Sequence, residues 1–400
     1  MPGKNFYRGV KTRHLAKSRN REQIVSNLPP LVVPVLPPQS LLNIDHFEAL
    51  DGNKDGLLSV HEFLSAAQPT SNFDFIRAAE LMRLSIYANE YYNSFMLNTL
   101  WQIPAPFDKI YTIKNRTNAI MYASYEQVKP TDPLIPIGFI AESIATNDVY
   151  VVWRGTKNGI EWKQDAKFFH TPCSFLPQRA NKTINVELGF HELYVTGGTH
   201  TPSPQNSVKN YLNNLTNKIN RTVWVTGHSL GGALSTLNAC DLLENVKGFK
   251  SIRLYNFASP RVGDENFADI FDSLTLINGK PGAFRTVNER DIVPKLPLEI
   301  FGYKHVNEYH KSISFGTPLN PIDIFDKALL SRNHSNVSYF EKLVEAMKNN
   351  GTSATVLKNN HFTATELLNG TYTSSQLLSA GYTASEVQQA VNSTPNDTFV

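Results

Sequence analysis

Thr222-Val223-Trp224-Val225-Thr226-Gly227-His228-Ser229-Leu230-Gly231-Gly232-Ala233-Leu234 is the stretch on which the fold turns. Val223 and Val225 lie in an apolar run that predicts a short buried strand, and Leu230 to Leu243 predicts a helix packed behind it. Between them stands Gly227-x-Ser229-x-Gly231. A strand that turns straight into a helix holds its middle residue in a strained conformation. The flanking positions must then lack side chains so that strand and helix can approach. Such a turn lifts the Ser229 hydroxyl out of the sheet and sets the free N–H groups of a helix start beside it, where negative charge can develop. The pattern predicts a serine nucleophile. The same residues also allow a Gly-rich turn whose serine only caps the helix.

Outward from this stretch, strands alternate with helices. Phe73 to Leu100 has helical periodicity, with Ala78, Leu81, Met82, Leu84, Ser85 and Ala88 at three- and four-residue steps. Pro136 to Ala141 and Val149 to Trp153 read as strands joined by the turn Ala145 to Asp148, and Ile252 to Phe257 and Phe284 to Val287 as two more. Ser207 to Ile219 reads as an amphipathic helix entering the Val223 strand. The expected class is α/β with a mostly parallel central sheet.

A serine nucleophile needs a base to take its proton and a carboxylate to fix that base's tautomer. When acid and base follow the serine, the best acid is Asp291, just past a strand end in Thr286-Val287-Asn288-Glu289-Arg290-Asp291-Ile292-Val293-Pro294. Glu289 and Asp264 compete with it. The base is one of His305, His310, His334 and His361. His334 has the best setting, on a polar loop (Arg332 to Asn336) before the apolar-periodic helix Tyr339 to Met347, although spacing alone does not decide between them.

From about Phe73 to Lys348 the chain resembles the class 3 lipases, the fungal triacylglycerol-lipase-like branch of the α/β-hydrolases. The blocks run in family order. Val151-Val152-Trp153-Arg154-Gly155-Thr156 comes first, then Trp162-x-x-Asp165, Gly189-Phe190-His191-x-x-Tyr194 and the Ser229 elbow. Ser259-Pro260-Arg261-Val262-Gly263-Asp264, the Arg285 to Pro294 block and Phe301-Gly302-Tyr303-x-His305-x-x-Glu308 follow. The resemblance implies an α/β-hydrolase-type fold with Ser229 as nucleophile and Asp291 as triad acid. His305 falls at a strand histidine that is not catalytic in the family, with Asn307 where the family has Gly. The catalytic histidine falls at His334, before Tyr339-Phe340, with a slightly longer gap than the fungal pattern. Thr156 falls at the oxyanion-hole position with the Leu230 N–H as second donor, and Asp165 is placed to hold the Thr156 hydroxyl. Lys157 to Gln164 occupies the lid position, with Ile160 and Trp162 as its apolar contacts.

The implied activity is hydrolysis of lipid carboxylic esters, acylglycerols foremost, at a membrane or droplet surface. A phospholipase or lysophospholipase is the alternative within the enzymes, and a non-catalytic calcium-binding scaffold the alternative outside them. The chemistry itself needs no metal or other cofactor.

The flanks carry separate signals. Residues 1–40 form a tail in which Lys4, Arg8, Lys11, Arg13, Lys17, Arg19 and Arg21 precede the first acid, Glu22, although the whole chain carries only +3. Leu28 to Pro38, with five prolines, makes its end an extended linker. A solvated arm is expected there; contact with an anionic membrane is the sharper alternative, and no nucleic-acid partner is expected. Residues 41–70 hold a single EF-hand-like calcium loop, Asp51 to Glu62. Asp51, Asn53, Asp55, the Leu57 carbonyl, Ser59 and a bidentate Glu62 fall at its ligand positions, and Gly56 falls at the sharp turn. Calcium there would be structural or regulatory.

Residues 71–348 are the hydrolase-like body, and 349–400 repeat every ten residues. Phe362-Thr363-x-x-Glu366-Leu367-Leu368, Tyr372-Thr373-x-x-Gln376-Leu377-Leu378 and Tyr382-Thr383-x-x-Glu386-Val387 each spell a capping box and predict a short helix. Cys173 and Cys240 make no disulfide framework. With no signal-like or membrane-spanning run in this sequence, an intracellular, membrane-peripheral protein is expected.

Overall fold

Short apolar runs, with alternate side chains buried on opposite faces, build the centre of this protein. The structure, a computed structural model, describes residues 73–114, 119–123, 135–156, 168–177, 182–198, 201–277, 279–307, 310–313 and 327–393. The chain divides into two units, Met1–Thr70 and Ser71–Val400. The first lies outside the described residues, and with it the expectations for the basic tail, the linker and the Asp51 to Glu62 loop.

Helix α1 (Phe75–Met96) starts at Asp74, whose carboxylate accepts from Arg77 N at 3.0 Å. Its predicted inward positions, Ala78, Leu81, Met82, Leu84, Ser85 and Ala88, are all buried. Then come β1 (Tyr111–Thr112), β2 (Ile120–Ala123), β3 (Ile135–Ser143) and β4 (Val149–Trp153). The ribbon β5 (His170–Pro172) and β6 (Asn185–Glu187) precedes α2 (Leu188–Val195) and α3 (Pro204–Asn213). β7 (Thr222–His228) runs into α4 (Leu230–Asn245), followed by β8 (Ser251–Phe257) and α5 (Glu265–Leu274). A second ribbon, β9 (Leu276–Ile277) and β10 (Lys280–Pro281), leads to β11 (Ala283–Asn288) and β12 (His310–Ile313). Helices α6 (Lys327–His334) and α7 (Asn336–Asn349) follow, then the short α8 (Ala354–Asn359), α9 (Ala364–Asn369), α10 (Ser374–Ser379) and α11 (Ala384–Ser393).

The main sheet has the order β1-β3-β4-β7-β8-β11-β12, with β2 also paired to β3. From β4 through β12 every pairing is parallel, while β3 meets β4, β1 and β2 antiparallel. This is the mostly parallel sheet of an α/β-hydrolase-like fold. Both of its faces are covered. Val149, Val151 and Trp153 of β4 point into one core with Val223, Val225, Ile252 and Leu254; Tyr150 and Val152 point into the other with Tyr255 and Phe257. Helix α4 is buried from Leu230 to Leu242 because it lies wholly inside the first core. Helices α1 and α7 cover the second.

Two expected boundaries move. The helix expected over Ser207 to Ile219 is α3, which starts at Pro204 because the Ser203 hydroxyl accepts from Asn206 N and proline suits a helix's first turn. Past its end, Asn217 at φ 54° takes the chain out of helical geometry. The polar loop expected around His334 is the last turn of α6. Leu330, Asn333 and His334 are buried while Ser331 and Arg332 are exposed, so these polar residues alternate with helical rather than loop periodicity.

The helices beyond Gly351 share the second core with α1 and α7: Leu357, Phe362, Leu367, Tyr372, Leu377 and Tyr382 are buried with Leu81, Leu84 and Tyr339. The change of sequence pattern at 348 is therefore not a break in packing. Tyr372 and Tyr382 each reach back across a neighbouring helix, to Thr352 O at 2.6 Å and Phe362 O at 2.5 Å. Arg83 of α1 donates to both Glu366 oxygens, at 2.6 and 3.1 Å, beneath the rings of Phe107 and Phe362. Burial alone would lower the Arg83 pKa, but the Glu366 charge, its hydrogen bonds and the nearby Tyr87 and Tyr111 together hold the guanidinium above its ordinary value.

Candidate active site

The β7–α4 turn leaves no room for a side chain two residues before or two residues after Ser229. A Cβ on Gly227 would sit 2.1 Å from Gly231 O, and one on Gly231 would sit 2.3 Å from Trp153 O. Ser229 itself has φ 61° and ψ −122°, a conformation that costs a non-glycine residue about 1–3 kcal/mol. The packing of α4 against β4 and β8 holds it there. Leu230 is the first residue of α4, so its N–H has no intrahelical acceptor. Thr156 lies just past β4, where Gly155 passes against the elbow: a Cβ on Gly155 would meet His228 O at 3.0 Å. Thr156 Oγ1 is buried and, among the described residues, finds no hydrogen-bond partner.

His334 joins two strand ends. Its Nδ1 donates to Asp291 Oδ2 at 2.7 Å, and its Nε2 lies 2.7 Å from Ser229 Oγ, whose hydroxyl donates to it. The tautomer follows from the partners, because a buried carboxylate only accepts. Asp291 is 1% exposed and is further held by Val293 N, which donates to Oδ1 at 2.9 Å. The Tyr339 hydroxyl donates to Oδ2 at 3.0 Å and accepts from Asn288 N at 2.9 Å. Burial, then the Asp291 charge, pushes the Tyr339 pKa well up and keeps the phenol a donor. Asn288 Nδ2 in turn donates to Asn333 O at 2.8 Å, tying the end of β11 to the residue before His334. These contacts accommodate the long His334-to-Tyr339 gap: the histidine ends one helix, Ser335 turns the chain, and the tyrosine lies in the first turns of the next.

The rejected candidates have other partners. Asp264 caps α5, accepting from Phe267 N, Asn185 N and Asn185 Nδ2. Glu289 is exposed on the turn before Asp291. His305 Nε2 lies 2.6 Å from Pro294 O, and His361 is exposed between α8 and α9. His310 is on β12, and its side chain lies outside the described residues. So do Asp165, the lid segment with Ile160 and Trp162, and the calcium ligands Asp51, Asn53, Asp55, Leu57, Ser59 and Glu62. Among the described residues no cluster of His, Cys, Asp and Glu could hold a metal ion.

The sequence reading gave no role to Tyr339, Asn288 or His228. All three stood in quoted blocks, Tyr339 only as a marker following the histidine. The His228 ring lies 4.9 Å from that of His334 and 5.5 Å from that of Tyr339. Burial first, then the neighbouring His334, holds its pKa well below the usual histidine value, so it is a neutral ring against the triad. A cleft of about 390 Å³ opens at Thr156, His228 and His334, walled by α1 and by the α6–α7 turn.

Residues 150–301 match the family model described as Lipase (class 3). The chain is 37% identical over 172 residues to a lipase of Rhizomucor miehei, across 42% of this chain and 43% of that protein. It is 33% identical over 179 residues to phospholipase A1-II 3 of Oryza sativa subsp. japonica, across 40% of this chain and 42% of that one. A solved structure described as a triacylglycerol lipase with a serine protease triad covers 62% of this chain and 82% of its own, at 26% identity and a TM-score of 0.45. The chain thus spans less than half the length of these curated relatives, and His334 lies beyond the residues that the family model matches. The stretch that carries Thr156, Ser229 and Asp291 matches the class 3 lipases.

Proposed function

We propose that this protein is a serine hydrolase of lipid carboxylic esters, acylglycerols foremost. The observation that carries the reading is the bridging His334, bonded at 2.7 Å to both Ser229 Oγ and Asp291 Oδ2. Ser229 Oγ attacks the ester carbonyl as His334 Nε2 takes its proton, and Asp291 steadies the imidazolium. The Leu230 N–H and Thr156 receive the oxyanion; removing such a donor typically costs about 10²–10³ in kcat. The imidazolium then protonates the leaving alcohol, and water, activated by the same histidine, releases the fatty acid from Ser229. Asp165 as support for Thr156, and Ile160 and Trp162 as lid contacts, belong to this proposal on the strength of the sequence blocks.

The test is fatty-acid release from a diacylglycerol emulsion and from phosphatidylcholine vesicles by wild type and Ser229→Ala. Release that persists in Ser229→Ala overturns the reading. Faster release from phosphatidylcholine favours the phospholipase alternative, which has the named rice relative in its support.

Calcium binding at Asp51 to Glu62 is a separate proposal, supported by the ligand pattern of that loop. Calorimetric titration should show binding that Glu62→Gln weakens, and no binding by wild type would refute it. An intracellular setting is proposed from a sequence with only two cysteines, and anionic-membrane contact from the basic tail.

A further inference from the structure

The proton that His334 takes from Ser229 must next reach the leaving alcohol, so the alcohol half of the ester lies beside the His334 ring. The cleft of about 390 Å³ opens at that ring. Beside Ile86, its lining there carries polar side chains from two elements: Asn89, Tyr92 and Asn93 from α1, and Ser331, Ser335 and Asn336 from the α6–α7 turn. Two of these groups are uncommitted. Asn89 Oδ1 is buried and, among the described residues, has no hydrogen-bond partner. Ser335 stands at the N-cap of α7, yet its hydroxyl does not make the cap bond that serine ordinarily makes there. Buried polar atoms are nearly always satisfied, so an orphan on a cleft wall points to a ligand that satisfies it.

Charge narrows the class of alcohol. Arg154, the cationic arginine on this wall, is 2% exposed and turned inward. It donates to Pro136 O at 3.1 Å and Gly155 O at 2.5 Å, with its guanidinium 4.0 Å from the centre of the Tyr92 ring. Glu90 lines the same cleft, and burial raises its pKa, a sign of how poorly this space solvates an anion. The N–H groups at the start of α7 can serve a hydroxyl oxygen and by themselves favour a phosphate. A phosphodiester, however, would meet the Glu90 side chain with, among the described residues, no cation turned toward it.

We propose that this wall is the leaving-alcohol subsite, and that it selects uncharged alcohols bearing free hydroxyls, such as the glycerol of a partial acylglycerol, over phosphate-bearing head groups. Asn89 and Ser335 are its specificity-determining residues. The proposal rests on the hydrolase reading above.

The experiment compares kcat/KM for three esters of one fatty acid: 1-monooleoylglycerol, methyl oleate and 1-oleoyl-lysophosphatidylcholine. Wild type, Asn89→Leu and Ser335→Ala are assayed, and fluorophosphonate labelling of Ser229 is followed in each. The glycerol ester should exceed both other esters in wild type by about tenfold or more. Each variant should lower the ratio of glycerol ester to methyl ester by about three- to tenfold. An unchanged ratio in both variants, with Ser229 still labelled, overturns the subsite and leaves the hydrolase standing. Lysophosphatidylcholine cleaved faster than monooleoylglycerol overturns the selection for uncharged alcohols. No cleavage of any ester and no labelling of folded wild type overturns the hydrolase reading, and the subsite with it.

Discussion

Tyr339 donates its phenol hydrogen to Asp291 Oδ2 at 3.0 Å, the same oxygen that receives the His334 Nδ1 proton at 2.7 Å. The tyrosine thus fixes the carboxylate that fixes the imidazole. Tyr339→Phe removes this bond and leaves Asn288 N without its acceptor. A hydrogen bond to a charged group is worth about 1.5–3 kcal/mol. The expected result in an ester assay is a fall in kcat/KM of about ten- to a hundredfold with Ser229 still labelled. Unaltered kinetics would show that Asp291 needs no such support.

The elbow tolerates no methyl group at Gly231. Its Cβ would lie 2.3 Å from Trp153 O, a backbone atom that cannot rotate away. Overpacking of this kind costs about 1–3 kcal/mol, and here it also displaces Ser229. Gly231→Ala should lower the thermal midpoint and abolish turnover together. A variant with wild-type stability and activity would contradict the described packing of α4 against β4.

Arg83 and Glu366 join α1 to the helices beyond Gly351 through a pair whose arginine is almost wholly buried, with side-chain exposures of 4% and 18%. Removing one partner of a buried pair typically costs about 3–5 kcal/mol, because the other charge stays behind. Glu366→Leu should therefore destabilise the body strongly in chemical denaturation, and Arg83→Met with Glu366→Leu should recover much of the loss. If the double variant is no more stable than Glu366→Leu alone, the stranded charge is not the cause.

Acid stability depends on Glu142 at the end of β3. Burial would raise its pKa, but the Tyr211, Arg221 and Lys114 donors, at 2.7, 2.7 and 3.1 Å, hold it below the usual glutamate value. A carboxyl depressed in the folded state contributes stability that is complete above its unfolded pKa of about 4.3 and is lost as pH falls through the lower folded value. Glu142→Gln should be less stable than wild type at pH 7, with the difference closing as pH falls below about 4. A constant difference across thermal scans from pH 7 to 3 would refute the assignment.

What the sequence discloses follows from the range of each interaction. The Ser229 elbow and the strands Val149 to Trp153 and Ile252 to Phe257 are legible because alternation and glycine spacing act within a few residues. Asp291 is legible from its place past a strand. His334 needed the family resemblance as well, since a short polar run hides a helix turn whose inward residues are Asn333 and His334. Neither the Tyr339–Asp291 bond nor the Arg83–Glu366 pair could be read, because nothing local marks partners 48 and 283 residues apart. The polar wall of the cleft was hidden too: the apolar periodicity of α1 identified its buried face and drew attention away from Asn89 and Asn93.

The most direct measurement is covalent labelling of folded wild type with a fluorophosphonate, the site read by peptide mass spectrometry and the rate compared with His334→Ala. A nucleophile activated as described should be labelled at Ser229 alone, with the rate falling by on the order of 10³-fold or more in His334→Ala. Folded wild type that takes no label at Ser229, or that labels equally fast without His334, would contradict the account.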